Sequence, residues 1–164
     1  MIALLTLLGV GVLAVALQAA IQETCRLGVL FPNLVFLLVS YVALFGTRGR
    51  ARLLAVTSGF FLDAASQDPW GANIVSLIIL AQLLIAAADD GWADRPVSCA
   101  LLVAITVPVT FVCRWTLVWL LQGVFLSWTH EVSIALYTLL FCWPFFSLLD
   151  CWNRLLTGVR QSRP

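Results

Sequence analysis

A chain of 164 residues that is 62% hydrophobic and only 10% charged is not composed like a water-soluble domain, which carries about 25% charged residues. With a mean hydropathy of +1.04 and a net charge of +1, it has no basic face of the kind a nucleic-acid partner requires. The composition is that of an all-α integral membrane protein forming one domain over residues 1–164, with membrane lipid around it.

A membrane-spanning helix needs about 20 mostly apolar residues. The first such run covers residues 2–21. Its apolar part is longer than the roughly 7 to 15 residues of a secretory signal, and no basic residues precede it, so it reads as a first span. The second covers 27–46, between the polar "QETCR" and the basic "TRGRAR". The third, 53–66, is short and is stopped by Asp68-Pro69. A proline behind an aspartate cap favours a helix start, which places the fourth span at 69–88. After the polar "DDGWADRP" come a fifth span at 97–121 and a sixth at 131–149. Pro108 and Pro144 are expected to kink the last two.

The chain has no lysine, so orientation rests on arginine. With six spans, Arg48, Arg50, Arg52, Arg95, Arg154, Arg160 and Arg163 fall on one side. The opposite loops carry Arg26 alone, and Arg114 lies within a span. An excess of basic residues marks the cytoplasmic side, so both termini are expected in the cytoplasm. Trp70, Trp92, Trp128 and Trp152 fall near expected helix ends, where interfacial tryptophans collect.

Little in the sequence points to catalysis. Cys25, Cys99, Cys113, Cys142 and Cys151 have no paired spacing and read as small packing residues. One histidine, His130, without an HExxH spacing gives no metal site. Glu131 beside it opens the sixth span, where the helix dipole favours an acid. There is no GxSxG, no Cys-His-Asn order and no phosphate-cradling loop. No catalytic residue, metal ligand or cofactor is assigned, and the chain is not read as an enzyme.

Asp63 is the residue that needs explaining, because a carboxylate at membrane depth costs roughly 2.5 to 3.5 kcal/mol. Ala51, Ala55, Gly59, Asp63 and Gln67 recur every four residues and form one stripe. Small residues at that spacing let two helix backbones approach closely in a membrane, so Asp63 is expected to face the bundle. Three roles are open to it. It can accept hydrogen bonds from backbone N–H groups of the "SQDPWG" connection or of the fourth span's start. It can pair with Arg114, in the outer part of the parallel fifth span. Or it can bind a proton or ligand. Arg114 could instead snorkel to the outer interface, roughly 12 Å away at 1.5 Å per residue.

The stretch "FPNLVFLLVSYVALFGTRGRARLLAVTSGFFLDAASQDPWGANIVSLIILAQLL", residues 31–84, resembles the rod shape-determining protein MreD family. The resemblance lies in Pro32-Asn33 early in the second span, a basic turn, Gly59, Asp63 four residues on and Gly71 eight beyond that. "FCWPFFSLL", with Trp143-Pro144, is similar to the family's final span. Ala55 stands where the family usually has a further glycine, and Arg114 has no counterpart there.

The resemblance implies a six-helix fold like that of the substrate-binding subunits of energy-coupling-factor transporters. It implies a non-enzymatic scaffold of the bacterial elongation complex, in the inner membrane. The implied partners are MreC, the MreB filament, RodA and a class B penicillin-binding protein. The fold similarity also admits a second function, a vitamin-like small-molecule binding subunit of a transporter. The few polar residues within the spans speak against a ligand cavity.

Two native cysteines test the orientation. An impermeant thiol reagent applied to intact spheroplasts should label Cys25 and spare Cys151; the reverse pattern would overturn it.

Overall fold

The computed structural model describes residues 2–24, 32–66, 69–91, 96–123 and 128–157. All of the regular structure among them is helical: α1 (Ile2–Thr24), α2 (Leu34–Phe45), α3 (Arg48–Ala65), α4 (Ala72–Asp89), α5 (Pro96–Gln122) and α6 (Trp128–Thr157). Three helices contain segments long and apolar enough to cross a membrane: Ala72–Asp89, Leu101–Gln122 and Val132–Leu149. This is compatible with a membrane protein. Gly9–Ala20 and Leu34–Phe45 are apolar but shorter. In α3 the first turn and a half is basic, with Arg48, Arg50 and Arg52 exposed.

The helix bounds differ from the sequence expectation where capping decides them. α3 begins at Arg48, not at residue 53, because the arginines are already helical behind an extended Thr47 whose carbonyl accepts from the Ala51 N–H at 3.0 Å. α4 begins at Ala72 rather than Pro69; Pro69 to Gly71 form a turn in which the N–H of Ala72 donates to the Pro69 carbonyl at 3.1 Å. α6 extends from Trp128 to Thr157 at both ends of the expected span, with His130 and Glu131 in its first turn. α5 and α6 each run on through their proline, Pro108 and Pro144. Cys25, Arg26, Gln67, Asp68, Trp92, Arg95, Arg160 and Arg163 lie outside the described residues.

α2 is the central element. Val35, Leu37, Val39 and Leu44 are fully buried, and the helix packs on α1, α3, α4 and α6. A helix that starts among apolar side chains must find acceptors for its first N–H groups. Here they come from three places. Asn33 Oδ1 accepts from the Phe36 N–H at 3.0 Å, the N-cap bond. Gln18 of α1 accepts from the Val35 N–H at 3.2 Å. The N–H of Asn33 itself donates to Thr138 Oγ1 of α6 at 3.0 Å. Three helices are thereby tied at one point.

α3 and α4 form an antiparallel hairpin. At its open end Arg48 pairs with Asp89 at 2.9 Å, and Arg52 Nη2 donates to Gln82 Oε1 at 3.3 Å. These contacts are exposed and contribute little, about 0 to 1 kcal/mol for the ion pair. The closeness of the helices comes from the stripe: Ala51, Ala55, Gly59 and Asp63 are all buried. Gly59 is the tightest point. A Cβ there would lie 2.6 Å from the Ile74 Cα and 2.9 Å from its nitrogen, so the obstacle is the backbone of α4 itself. Gly11 of α1 makes a milder approach to α3, with a Cβ falling 3.2 Å from Ser58 Oγ.

Even the smallest side chain at Gly59 therefore separates two backbones. Gly59→Ala should lower stability by about 1 to 3 kcal/mol, the usual cost of overpacking, and Gly59→Leu should abolish recovery of folded protein. Val56, on the exposed face of the same helix, is the control: Val56→Leu should unfold with wild type in a detergent melt. Equal losses at both positions would place the packing face elsewhere.

Candidate functional site

The α3–α4 connection is short, and its geometry leaves α4 without an ordinary cap. Gly71 occupies the N-cap position in the left-handed region, with φ of 96° and no side chain to offer; a residue with a Cβ pays about 1 kcal/mol or more in that conformation. The missing acceptor is supplied from the preceding helix. Asp63 is 2% exposed, and both of its oxygens point at the first turn of α4. Oδ2 accepts from the Gly71 N–H at 2.9 Å and, at a long 3.4 Å, from the Ile74 N–H. Oδ1 accepts from the Asn73 N–H at 3.0 Å and from its side-chain Nδ2 at 2.9 Å. Asn73 Nδ2 also reaches Ser66 Oγ at 3.5 Å, at the end of α3.

The energetics explain why an acid is tolerated here. Hydrogen bonds to a charged group are worth about 1.5 to 3 kcal/mol each, and the positive end of the helix dipole adds to them. Three short bonds offset the cost of burying the carboxylate away from water. The ion pair with Arg114 is not formed, since every bond to Asp63 comes from the Gly71–Ile74 turn. Asp63 is a cap lent by one helix to the next.

Arg114 lies instead beside a half-open cavity of about 30 Å³ between α2, α4 and α5. Its polar lining is Asn33, Asn73, Ser76, Thr110 and Arg114. Phe36 and Phe111, stacked at a centroid distance of 6.0 Å, form its apolar wall together with Leu62 and Leu77. The hydroxyls of Ser76 and Thr110 both donate to backbone carbonyls of their own helices, at 2.9 Å and 2.9–3.0 Å, and so present lone pairs outward. Asn33 spends its Oδ1 on the Phe36 N–H, leaving its amide protons for the cavity.

The residues singled out in the sequence thus divide. Gly59, Asp63 and Gly71 form one structural unit, while Asn33 and Arg114 meet at the adjoining cavity. Pro32 is half-buried just ahead of α2. Trp143 and Pro144 are on the outer surface of α6, Trp143 being 81% exposed, and they take no part in either. Sequence reasoning missed Gln18, Asn73 and Thr138, each a lone polar residue in an apolar run, a signal that marks a residue with a partner. Comparison with protein-family models, curated proteins and solved structures gives no match.

Removing the cap tests this geometry. Asp63→Ala removes the acceptor of the Gly71, Asn73 and Ile74 N–H groups and of the Asn73 amide, and unfolding in detergent should report a loss of about 3 kcal/mol or more, each buried orphan costing about 1 to 3. Asp63→Asn has one carbonyl oxygen and turns an NH2 toward donors, so an intermediate loss is expected. An Asn variant as stable as wild type would refute a cap that uses both oxygens.

Proposed function

We propose that the chain is a non-catalytic scaffold subunit of the bacterial elongation complex, a six-span protein of the inner membrane with both termini in the cytoplasm. In this reading it organises MreC, the MreB filament, RodA and a class B penicillin-binding protein during lateral peptidoglycan synthesis. The observation that carries the proposal is how the residues of the MreD-like stretch are used. Gly59, Asp63 and Gly71 join α3 to α4, and the backbone N–H of Asn33 ties the start of α2 to α6, which is what a scaffold requires. The outward faces of α5 and α6 are apolar, with Leu120, Leu140 and Trp143 each at least 70% exposed, and they offer partner spans a lateral surface.

The energy-coupling-factor-like arrangement of the helices belongs to the same proposal, and with it the second reading, a vitamin-like binding subunit. That reading has one observation in its favour. The polar residues that look scattered in the sequence converge on a single cavity. Its size speaks against it. A cavity of about 30 Å³ is far below the roughly 300 to 1,000 Å³ of small-molecule sites.

Depletion in the host should round or widen rod-shaped cells, and MreC should be lost from the purified complex. Cells that keep their rod shape but regain growth with a vitamin supplement would decide for the binding subunit.

A further inference from the structure

α6 holds the least covered of the three long apolar segments: 17% of Val132–Leu149 is buried, against 39% of Ala72–Asp89 and 28% of Leu101–Gln122. An apolar face turned to lipid is ordinary and names no partner. The middle of α6 is different, because two polar groups of opposite kind lie on it. Pro144 has no N–H and the helix runs on through it, so the Leu140 carbonyl lacks its usual donor four residues on. Leu140 is 71% exposed, and Pro144 is exposed with it. Within a turn of both stands Trp143, 81% exposed, whose indole N–H has no acceptor among the described residues.

A backbone or side-chain polar group without a partner is costly in lipid, which offers neither donor nor acceptor. Trp143 is also deep. Trp152, at the end where an interfacial tryptophan is expected, lies nine residues further along α6, or roughly 13 Å at 1.5 Å per residue.

A donor and an acceptor on one face make that face complementary to a copy of itself. Copies inserted in the same sense are related by a two-fold axis along the membrane normal, so their α6 helices run parallel and equal levels meet. A helical side chain leans over the turn that precedes it, which brings an indole at position 143 to the level of the Leu140 carbonyl. Leu140, Pro144, Ser147 and Cys151 are all exposed and recur at spacings of four, three and four. That is the repeat of a two-helix seam, and Trp143 flanks it where long side chains cross to the partner. Pro108 of α5 frees a carbonyl in the same way. The hydroxyls nearest to it along the helix, Thr106 and Thr110, are spent on carbonyls of α5 itself, so that face is not self-complementary.

We propose that two copies of this chain associate through parallel α6 helices, the Trp143 indole N–H of each donating to the Leu140 carbonyl of the other. The association depends on α6 crossing a membrane but not on the scaffold reading, since it is tested on purified protein without other components of the complex.

Full-length protein with Cys151 as its single cysteine, the others replaced by alanine, would be reconstituted in liposomes at a series of protein-to-lipid ratios. Photobleaching steps of an amino-terminal fluorophore count the copies, and oxidative cross-linking of Cys151 reports the seam. Dimers should appear with rising density, and Cys151 should cross-link in them. Trp143→Phe keeps a ring but removes the N–H; it should raise the dissociation constant about five- to tenfold, for two interhelical bonds lost. Pro144→Ala returns a donor to the Leu140 carbonyl and should weaken association by a similar factor; it decides the matter if Trp143→Phe does not fold. The two changes together should cost no more than either alone, because each removes the same bond. Val112→Ala, on the exposed face of α5, should leave the dimer unchanged.

Monomers at every density overturn the association, as does wild-type affinity in either folded variant. Dimers in which Cys151 fails to cross-link overturn the α6 seam. In native membranes, a Cys151 that cross-links only to a different protein gives the face to that protein and overturns the second copy.

Discussion

A helix that begins among apolar side chains has N–H groups that water cannot reach, and each one left over costs about 1 to 3 kcal/mol. This constraint organises the bundle. At the start of α4 it is met by Asp63, eight residues before the N-cap and on a different helix. The cap position itself is free to be glycine, which permits the left-handed turn and brings α3 and α4 together. Close approach at Gly59 then follows, because the same few residues of α4 that bond Asp63 include Ile74, whose backbone lies against Gly59. Cap, turn and packing face are one device.

The start of α2 solves the same problem with neutral groups. Gln18 and Asn33 accept from its first turn, and Thr138 takes the N–H of Asn33. In both places the acceptor comes in part from another helix. Interhelical hydrogen bonds in an apolar bundle have modest individual value, about 0.6 kcal/mol on average where measured. Their larger effect here is on register, since a slide of either helix by one residue strands donors that have no alternative acceptor.

The polar residues of the bundle therefore serve two ends. Asp63, Gln18 and Thr138 are occupied by joining helices. Asn33 and Asn73 join helices and also line the cavity, while Arg114, Ser76 and Thr110 approach it from α5 and α4. The bonds between α3 and α4 hold Asn73 in place at the cavity wall. Loosening the cap at Asp63 moves Asn73, and Asn73 is a wall of the cavity.

The sequence by itself determined the helical class, the approximate place of the long apolar helices and the small-residue face of α3. These follow from hydrophobic runs and fixed four-residue spacing, which are local properties. It also narrowed Asp63 to a bundle-facing acid. It did not choose between a backbone cap and Arg114, because a carboxylate accepts from either and the cap depends on the path of the turn between α3 and α4. The fold decided it by bringing the first turn of α4 to within 2.9 Å of Asp63 and by using Gly71 where a self-capping residue might have stood. The start of α4 at Ala72 differs from the expectation at Pro69 because Pro69 carries a strong local signal, whereas the acceptor for the first N–H groups of α4 lies on α3. Nor could spacing reveal the cavity. Asn33, Asn73 and Arg114 come from three helices, and residues of different helices meet only when the packing of the whole bundle sets their positions.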